Sequence, residues 1–286
     1  MITDLGIATS NLALLGFIFG AIIGSFLNVV ILRLPRVIKH QWTSEAREWL
    51  GLQLQPEQTF NLAKPASHCF HCGSPVKPLH NIPIISFLFL RGRCADCSTP
   101  ISLQYPIVEI LVAVIAAYLL VAHGFSALAI ASIIFCCSLI VLAVIDHRHK
   151  LLPDQITLPL LWLGLVVNIG SLFTTIHDAV IGAAIGYLSL WLVYWLFKIA
   201  TGKEGMGYGD FKLVAAIGAW LGWKAVPLVI FLSSSVAAVI GVCAILFAER
   251  DKDLPIAFGP YLCLSGWIAL QWGDSIIAWY LSLFTV

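Results

Sequence analysis

The sequence predicts an all-α polytopic membrane protein of about eight transmembrane helices with a zinc-binding insert, and three observations predict it. Sixty per cent of the 286 residues are hydrophobic, 11% are charged, and mean hydropathy is +0.94. A soluble domain of this length has no use for so much apolar surface. Uncharged runs recur at close to the ~20 residues needed to cross a bilayer, where only helices and closed barrels satisfy their own backbone. One stretch differs, the polar residues 36–100, and it carries four cysteines. The net charge of +1 singles out no partner beyond lipid, and no basic block points to nucleic acid.

The elements follow in order. Asp4 precedes the first apolar run and no basic segment does, so that run is expected to stay as an anchor. It covers residues 10–32 and ends at Arg33, Pro35 and Arg36. Gly16, Gly20 and Gly24 recur every fourth residue and form a small-residue face suited to close helix packing. Asn28, with Ser25 near it, needs a polar partner inside hydrocarbon, which an interhelical hydrogen bond would supply. Residues 36–100 have the length of a small soluble domain and include a helical-looking run at 44–50. Further spans are expected at 103–121, 126–145, 156–173, 179–197, 211–221, 225–247 and 256–272. The sixth span in this order, 211–221, is too short to cross comfortably. Residues 272–286 either extend the last span or lie at the interface.

Basic residues set the orientation. With the cysteine segment cytoplasmic, alternate threading puts Arg148, Lys150, Lys198, Lys203, Lys212, Arg250 and Lys252 on the same side. Of the 16 basic residues only Lys224 then falls outside, and both termini are external.

This threading brings two acids to one depth. The third span runs inward to Asp146, and the sixth starts inside at Asp210, after Gly205-Met206-Gly207-Tyr208-Gly209. Two carboxylates sharing a proton and a water are what aspartyl proteolysis requires. The alternating glycines offer conformations that other residues resist, and close approach to another chain. Asp210 could instead cap the following helix. Asp154, in Leu152-Pro153-Asp154, is the rival second acid, though its place just ahead of the fourth span reads as an N-cap. His147 and His149 read as solvated neighbours.

Cys69-Phe70-His71-Cys72 and Cys94-Ala95-Asp96-Cys97 form two CxxC knuckles that can converge on one tetrahedral zinc ion. A reducing cytoplasmic location disfavours the alternative of two disulfides. Four thiolates leave no open position for water, so the metal is expected to be structural. His68, His71 and His80 read as bystanders, and Cys136, Cys137, Cys243 and Cys263 as core. Glu109 lies between one and two turns inside the second span, where it is ion-paired, neutral or facing a polar cavity.

Together these residues resemble the type IV prepilin leader peptidase family, also called the type II secretion prepilin peptidases. The resemblance is carried by Gly24 to Pro35, the four-cysteine loop, Ile101 to Glu109, Asp146 with Leu152-Pro153-Asp154, and Gly207-Tyr208-Gly209-Asp210. It implies a bifunctional inner-membrane enzyme that removes the leader of prepilins and pseudopilins after a glycine, on the cytoplasmic side. The enzyme would then methylate the new N-terminal amine with S-adenosylmethionine. The resemblance makes Asp146 and Asp210 the catalytic pair. It associates residues 1–122 with methyl transfer and 123–286 with proteolysis. Glu109, Asn28, Arg91 and Arg93 are candidates for contacts to the cofactor or the amine, since no Rossmann glycine loop is present. A GxGD membrane protease without methyl transfer, like presenilin or the archaeal preflagellin peptidases, is the alternative enzyme. A transporter or scaffold would instead place its acids near the midplane.

Overall fold

A computed structural model describes residues 2–52, 61–247 and 257–283. Among the described residues there are nine α-helices, two short 3-10 turns (Pro78–Asn81 and Asn168–Gly170) and no strands. The helices are α1 (Ile2–Trp49), α2 (Ile85–Phe89), α3 (Gln104–His123), α4 (Ala127–His149), α5 (Asp154–Val167), α6 (Ile176–Thr201), α7 (Tyr208–Leu221), α8 (Ala225–Phe247) and α9 (Gly259–Ser282). Each predicted apolar run thus contains a helix, although 171–173 lie beyond α5 and its 3-10 turn. Among the described residues, five helical stretches are long and apolar enough to cross a membrane: Thr9–Trp49, Gln104–His123, Ala127–His149, Ile176–Thr201 and Ala225–Cys243. Residue 256, the first of the last predicted span, lies outside the described residues, as do Arg250 and Lys252 before it. The span's continuation past Trp272 belongs to α9.

The first helix corrects the expected boundary at residue 33. It runs through Pro35 and takes in the 44–50 run, so Arg36 to Trp49 belong to α1 and not to the insert. A proline inside a helix removes one donor and crowds the preceding turn, yet it does not force an end. Here Arg33 Nη1 donates to the carbonyls of Asn61 and Leu62, and Arg36 stacks over the Phe70 ring at 5.1 Å, so the insert folds back along the continuing helix.

The chain divides into two compact units, Met1–Cys137 and Ser138–Val286. In the first, α1 and α3 pack antiparallel along the glycine face. A Cβ on Gly16, Gly20 or Gly24 would stand 2.7, 2.6 or 2.7 Å from the Cα of Ala117, Ala113 or Glu109. Bilayer lipid gives helices no hydrophobic reason to associate, so close backbone approach and dispersion hold this seam.

In the second unit α7 is the central element. From Asp210 to Trp220 every residue except Lys212 is buried. At 14 residues α7 spans only ~21 Å, too short for the bilayer, and neighbouring protein encloses it instead of lipid. Gly182 of α6 meets Gly218 of α7 backbone to backbone, and Gly186 packs on Val214. Trp220 Nε1 donates to the Leu160 carbonyl at 2.8 Å, with its ring against Gly164 of α5. Asn168 Nδ2 donates to the carbonyls of Ala219 and Trp220 at 2.9 Å, tying the end of α7 to the turn after α5.

Candidate active site and metal centre

The second unit gathers four helix ends at one level: the C-terminus of α4 and the N-termini of α5, α7 and α9. Asp146, one turn before the end of α4, is 6% exposed, and Asp210, in the first turn of α7, is 7% exposed. Both acids lie in the second unit, close enough for the charge on one to bear on the other, so they form one candidate site. The Gly259 N–H donates to Asp146 Oδ2 at 3.0 Å. A helix leaves its first amide donors without intrahelical partners, and at α9 one of them is spent on this carboxylate. A Cβ on Gly259 would stand 2.7 Å from the same oxygen. Gly259 is therefore part of the site, and sequence reasoning missed it. A glycine opening an apolar run carries no mark of an acid 113 residues earlier. Cys263, one turn further along α9, is buried, as expected of a core cysteine.

Asp154 makes different contacts from these two acids. It does not cap α5, whose N-cap position is Pro153 with no side-chain hydrogen bond. Its oxygens accept from Lys212 Nζ at 2.7 and 2.8 Å, an exposed bridge between α5 and α7. His147 and His149 are exposed at the end of α4, as expected.

The three alternating glycines do not take left-handed conformations. A Cβ on Gly209 would stand 2.7 Å from the Cβ of Leu152, and one on Gly205 2.9 Å from the Phe197 ring. Gly207 is the N-cap of α7, extended at φ −83°. Their use is close approach: Gly209 lets the loop after α4 lie on the start of α7 beside Asp210.

The cysteines lie in the first unit. The Sγ atoms of Cys69, Cys72, Cys94 and Cys97 all lie within 4.8 Å of one another, and Cys69 and Cys97 are 3.8 Å apart. A tetrahedron with metal–sulfur legs of ~2.3 Å has edges of about 3.8 Å, so the set fits a four-coordinate metal. All four thiols are free. The two knuckles are built alike. In each, the first cysteine's carbonyl accepts from a left-handed residue after the second, Gly73 (φ +74°) or Ser98 (φ +58°). The Ser74 hydroxyl, 3.4 Å from Cys72, and the Thr99 hydroxyl, 3.2 Å from Cys97, hold both thiols below their ordinary range. His68, His71 and His80 stay outside the cluster.

A polar seam runs between α1 and α3. Glu109 is buried, and its Oε2 accepts from the Ile84 N–H at 2.7 Å, with the Ser25 hydroxyl in reach. Ile84 sits at φ +63°, an outlying conformation for a β-branched residue, and that turn aims its N–H at the carboxylate. Asn28 Nδ2 donates to the carbonyls of Gly24 and Tyr105 at 3.3 and 3.1 Å. With both hydrogens committed, its Oδ1 faces Gln104 Nε2 at 3.2 Å. Gln104 Oε1 is left buried with no donor. Gln104 is the second residue the sequence did not single out. Arg91 (φ +50°) and Arg93 follow α2 and are exposed.

The model of the bacterial peptidase A24 N-terminal domain matches residues 18–123, and that of the type IV leader peptidase family matches 133–242. Three similar proteins carry the name prepilin leader peptidase/N-methyltransferase. That of Pseudomonas aeruginosa is 49% identical over 92% of this chain and 91% of its own length. That of Aeromonas hydrophila is 51% identical over 94% and 93%, and that of Neisseria gonorrhoeae 44% over 98% of both. No solved structure matches the chain. With both domain models in order and relatives near half identity across nearly the full length, this chain belongs to the type IV leader peptidase family.

Proposed function

We propose that this protein cleaves the leader from type IV prepilins and pseudopilins as an aspartic endopeptidase, and methylates the amine it exposes. The observation that carries the proteolytic half is the burial of Asp146 and Asp210 at one end of their unit, with the Gly259 amide on one of them. Two neighbouring carboxylates do not both ionise readily. The amide marks Asp146 as the anionic member, and Asp210, in an apolar setting, carries the shared proton. Asp146 takes a proton from water, the hydroxide oxygen bonds to the scissile carbonyl carbon, and Asp210 protonates the carbonyl oxygen. The tetrahedral intermediate collapses as a proton passes to the departing nitrogen and the C–N bond breaks. A prepilin has a basic leader followed by an apolar helix, so its scissile bond falls at the membrane surface. The basic-residue distribution supports reading that surface as the cytoplasmic face of the inner membrane.

For methyl transfer, residues 1–122 are the proposed part, and 123–286 the peptidase. S-adenosylmethionine, when bound, supplies an electrophilic methyl group. The α1–α3 seam fits such a ligand because it holds a buried acceptor with nothing donating to it, Gln104 Oε1, beside the anchored Glu109 carboxylate. These oxygens accept N–H bonds and so orient an amine. Asn28 fixes the Gln104 amide, and Arg91 and Arg93 offer cations for the cofactor's carboxylate. Cys69, Cys72, Cys94 and Cys97 would hold zinc in a closed, structural set.

The test is the purified protein with a prepilin, with and without S-adenosylmethionine, read by intact mass beside Asp146→Asn and Asp210→Asn. Cleavage that needs both acids, plus one methyl that needs the cofactor, is the expected result. Normal cleavage by either variant overturns the catalytic assignment, and cleavage without methylation overturns the second half.

A further inference from the structure

Between the two knuckles the chain carries a segment that does not belong in water. From Pro78 to Leu90 there is no Asp, Glu, Lys or Arg, while Lys77, Arg91 and Arg93 bracket the run. Leu79, Ile82, Ile85, Leu88 and Phe89 recur at helical spacing and are 77, 40, 63, 69 and 83% exposed. The opposite side is turned inward. Ser86 is buried, its hydroxyl donating to the carbonyls of Leu79 and Ile82, and Phe87 packs on Gly92. A soluble insert would cover such a face, because a monomer seldom leaves a contiguous apolar patch exposed.

The height of the segment shows what covers it. The Ile84 N–H reaches Glu109, five residues into the membrane-spanning α3 and so ~7.5 Å along that helix. At this level α3 shows apolar side chains outward, Ile107 at 58%, Ile110 at 43% and Leu111 at 44%. The exposed face of 79–89 is continuous in level with a surface that meets lipid. Residues 82–90, uncharged and apolar but for the buried Ser86, are too few to cross and suit an interfacial position.

We propose that residues 79–90 lie in the bilayer, at the boundary between acyl chains and headgroups, with glycerophospholipid as the partner of the Leu79–Phe89 face. Lys77, just before the run, then stands where lipid phosphates lie. The insert expected to be a small soluble domain is in this reading a lipid-attached one, its metal cluster held at the membrane surface by a hydrophobic foot.

Hydroxyl-radical footprinting of the unaltered full chain in phospholipid nanodiscs tests this without a substitution. Phe70, on the first knuckle, is 63% exposed and serves as the reference. The expected result is oxidation of Phe70 with at least fivefold slower oxidation of Phe89, although Phe89 is the more exposed in the protein itself. Equal rates overturn the proposal. A second arm places a photoreactive benzoylphenylalanine at Phe89, Phe70 or Val114, the last an α3 position 52% exposed. Phospholipid adducts at 89 and 114 but not at 70 are expected. Adducts at 114 alone, or equally at 70 and 89, overturn it.

Discussion

Gly259→Ala separates folding from catalysis at the acid pair. The added methyl would stand 2.7 Å from Asp146 Oδ2 and 3.0 Å from its Cγ. An ordinary carbon–oxygen contact is wider by more than half an ångström. The obstructed group is the far end of a side chain, so the carboxylate turns away and the backbone can stay. Alanine is also a better helix former than glycine, so α9 itself loses nothing. What is lost is the amide hydrogen bond to a carboxylate, worth about 1.5–3 kcal/mol, together with the position of that carboxylate. At ~1.4 kcal/mol per tenfold in rate, the cleavage kcat falls by about 10- to 150-fold. Displacing a catalytic group by ~1 Å has an effect of similar size. The assay is single-turnover cleavage of a prepilin by Gly259→Ala and wild type in one detergent, with thermal unfolding alongside. Wild-type kcat at unchanged Tm would refute the role assigned to this glycine. A parallel loss of Tm would show that α9 had been disrupted instead.

Four further outcomes follow from the geometry. Asp154→Ala and Lys212→Ala remove an exposed ion pair, so each changes stability by less than ~1 kcal/mol and leaves cleavage within a fewfold of normal, as denaturation midpoints and cleavage rates will show. Gly20→Val pushes a side chain into the Ala113 backbone and destabilises the α1–α3 unit by about 1–3 kcal/mol or more, read as a lowered Tm. Chelation, or Cys72→Ser, releases the knuckles, and limited proteolysis will then cut within 69–97 while Asp-dependent cleavage in the other unit persists. Gln104→Leu and Glu109→Gln lower methylation of a pre-cleaved peptide about tenfold or more without slowing cleavage, since the first removes a buried acceptor and the second a buried negative charge, each worth ~1.5 kcal/mol or more toward a charged or polar donor.

Local pattern made much of this molecule legible before its coordinates. Apolar runs fix where helices form, because lipid leaves the backbone no other way to satisfy itself. The every-fourth spacing of Gly16, Gly20 and Gly24 encodes a helix seam, and the paired CxxC motifs encode a cluster. Contacts joining distant positions left weaker traces. Asp154 has the look of a cap, and only Lys212, 58 residues away, shows otherwise. Pro35 signals an end, but arginines on either side of it hold later chain against the helix and keep it going. Residues 82–90 are too short for a span and too apolar for water, a combination that a search for complete spans passes over. Gln104 becomes notable only when Asn28 fixes which way its amide points.

The contact of Gly182 with Gly218 has a mechanical meaning. With no side chains between them, the two backbones have nothing to compress or re-rotamerise, so α7 has almost no freedom to slide along α6. Gly218 lies eight residues from Asp210, about 12 Å along the helix, and it sets the height of that acid as a stop sets a piston. Axial travel of α7 along α6 would therefore have to break this backbone contact. Motion near the acids is then expected from other degrees of freedom, such as tilting of α9 at Gly259 or bending of the exposed turn at Gly202, where φ is +72°.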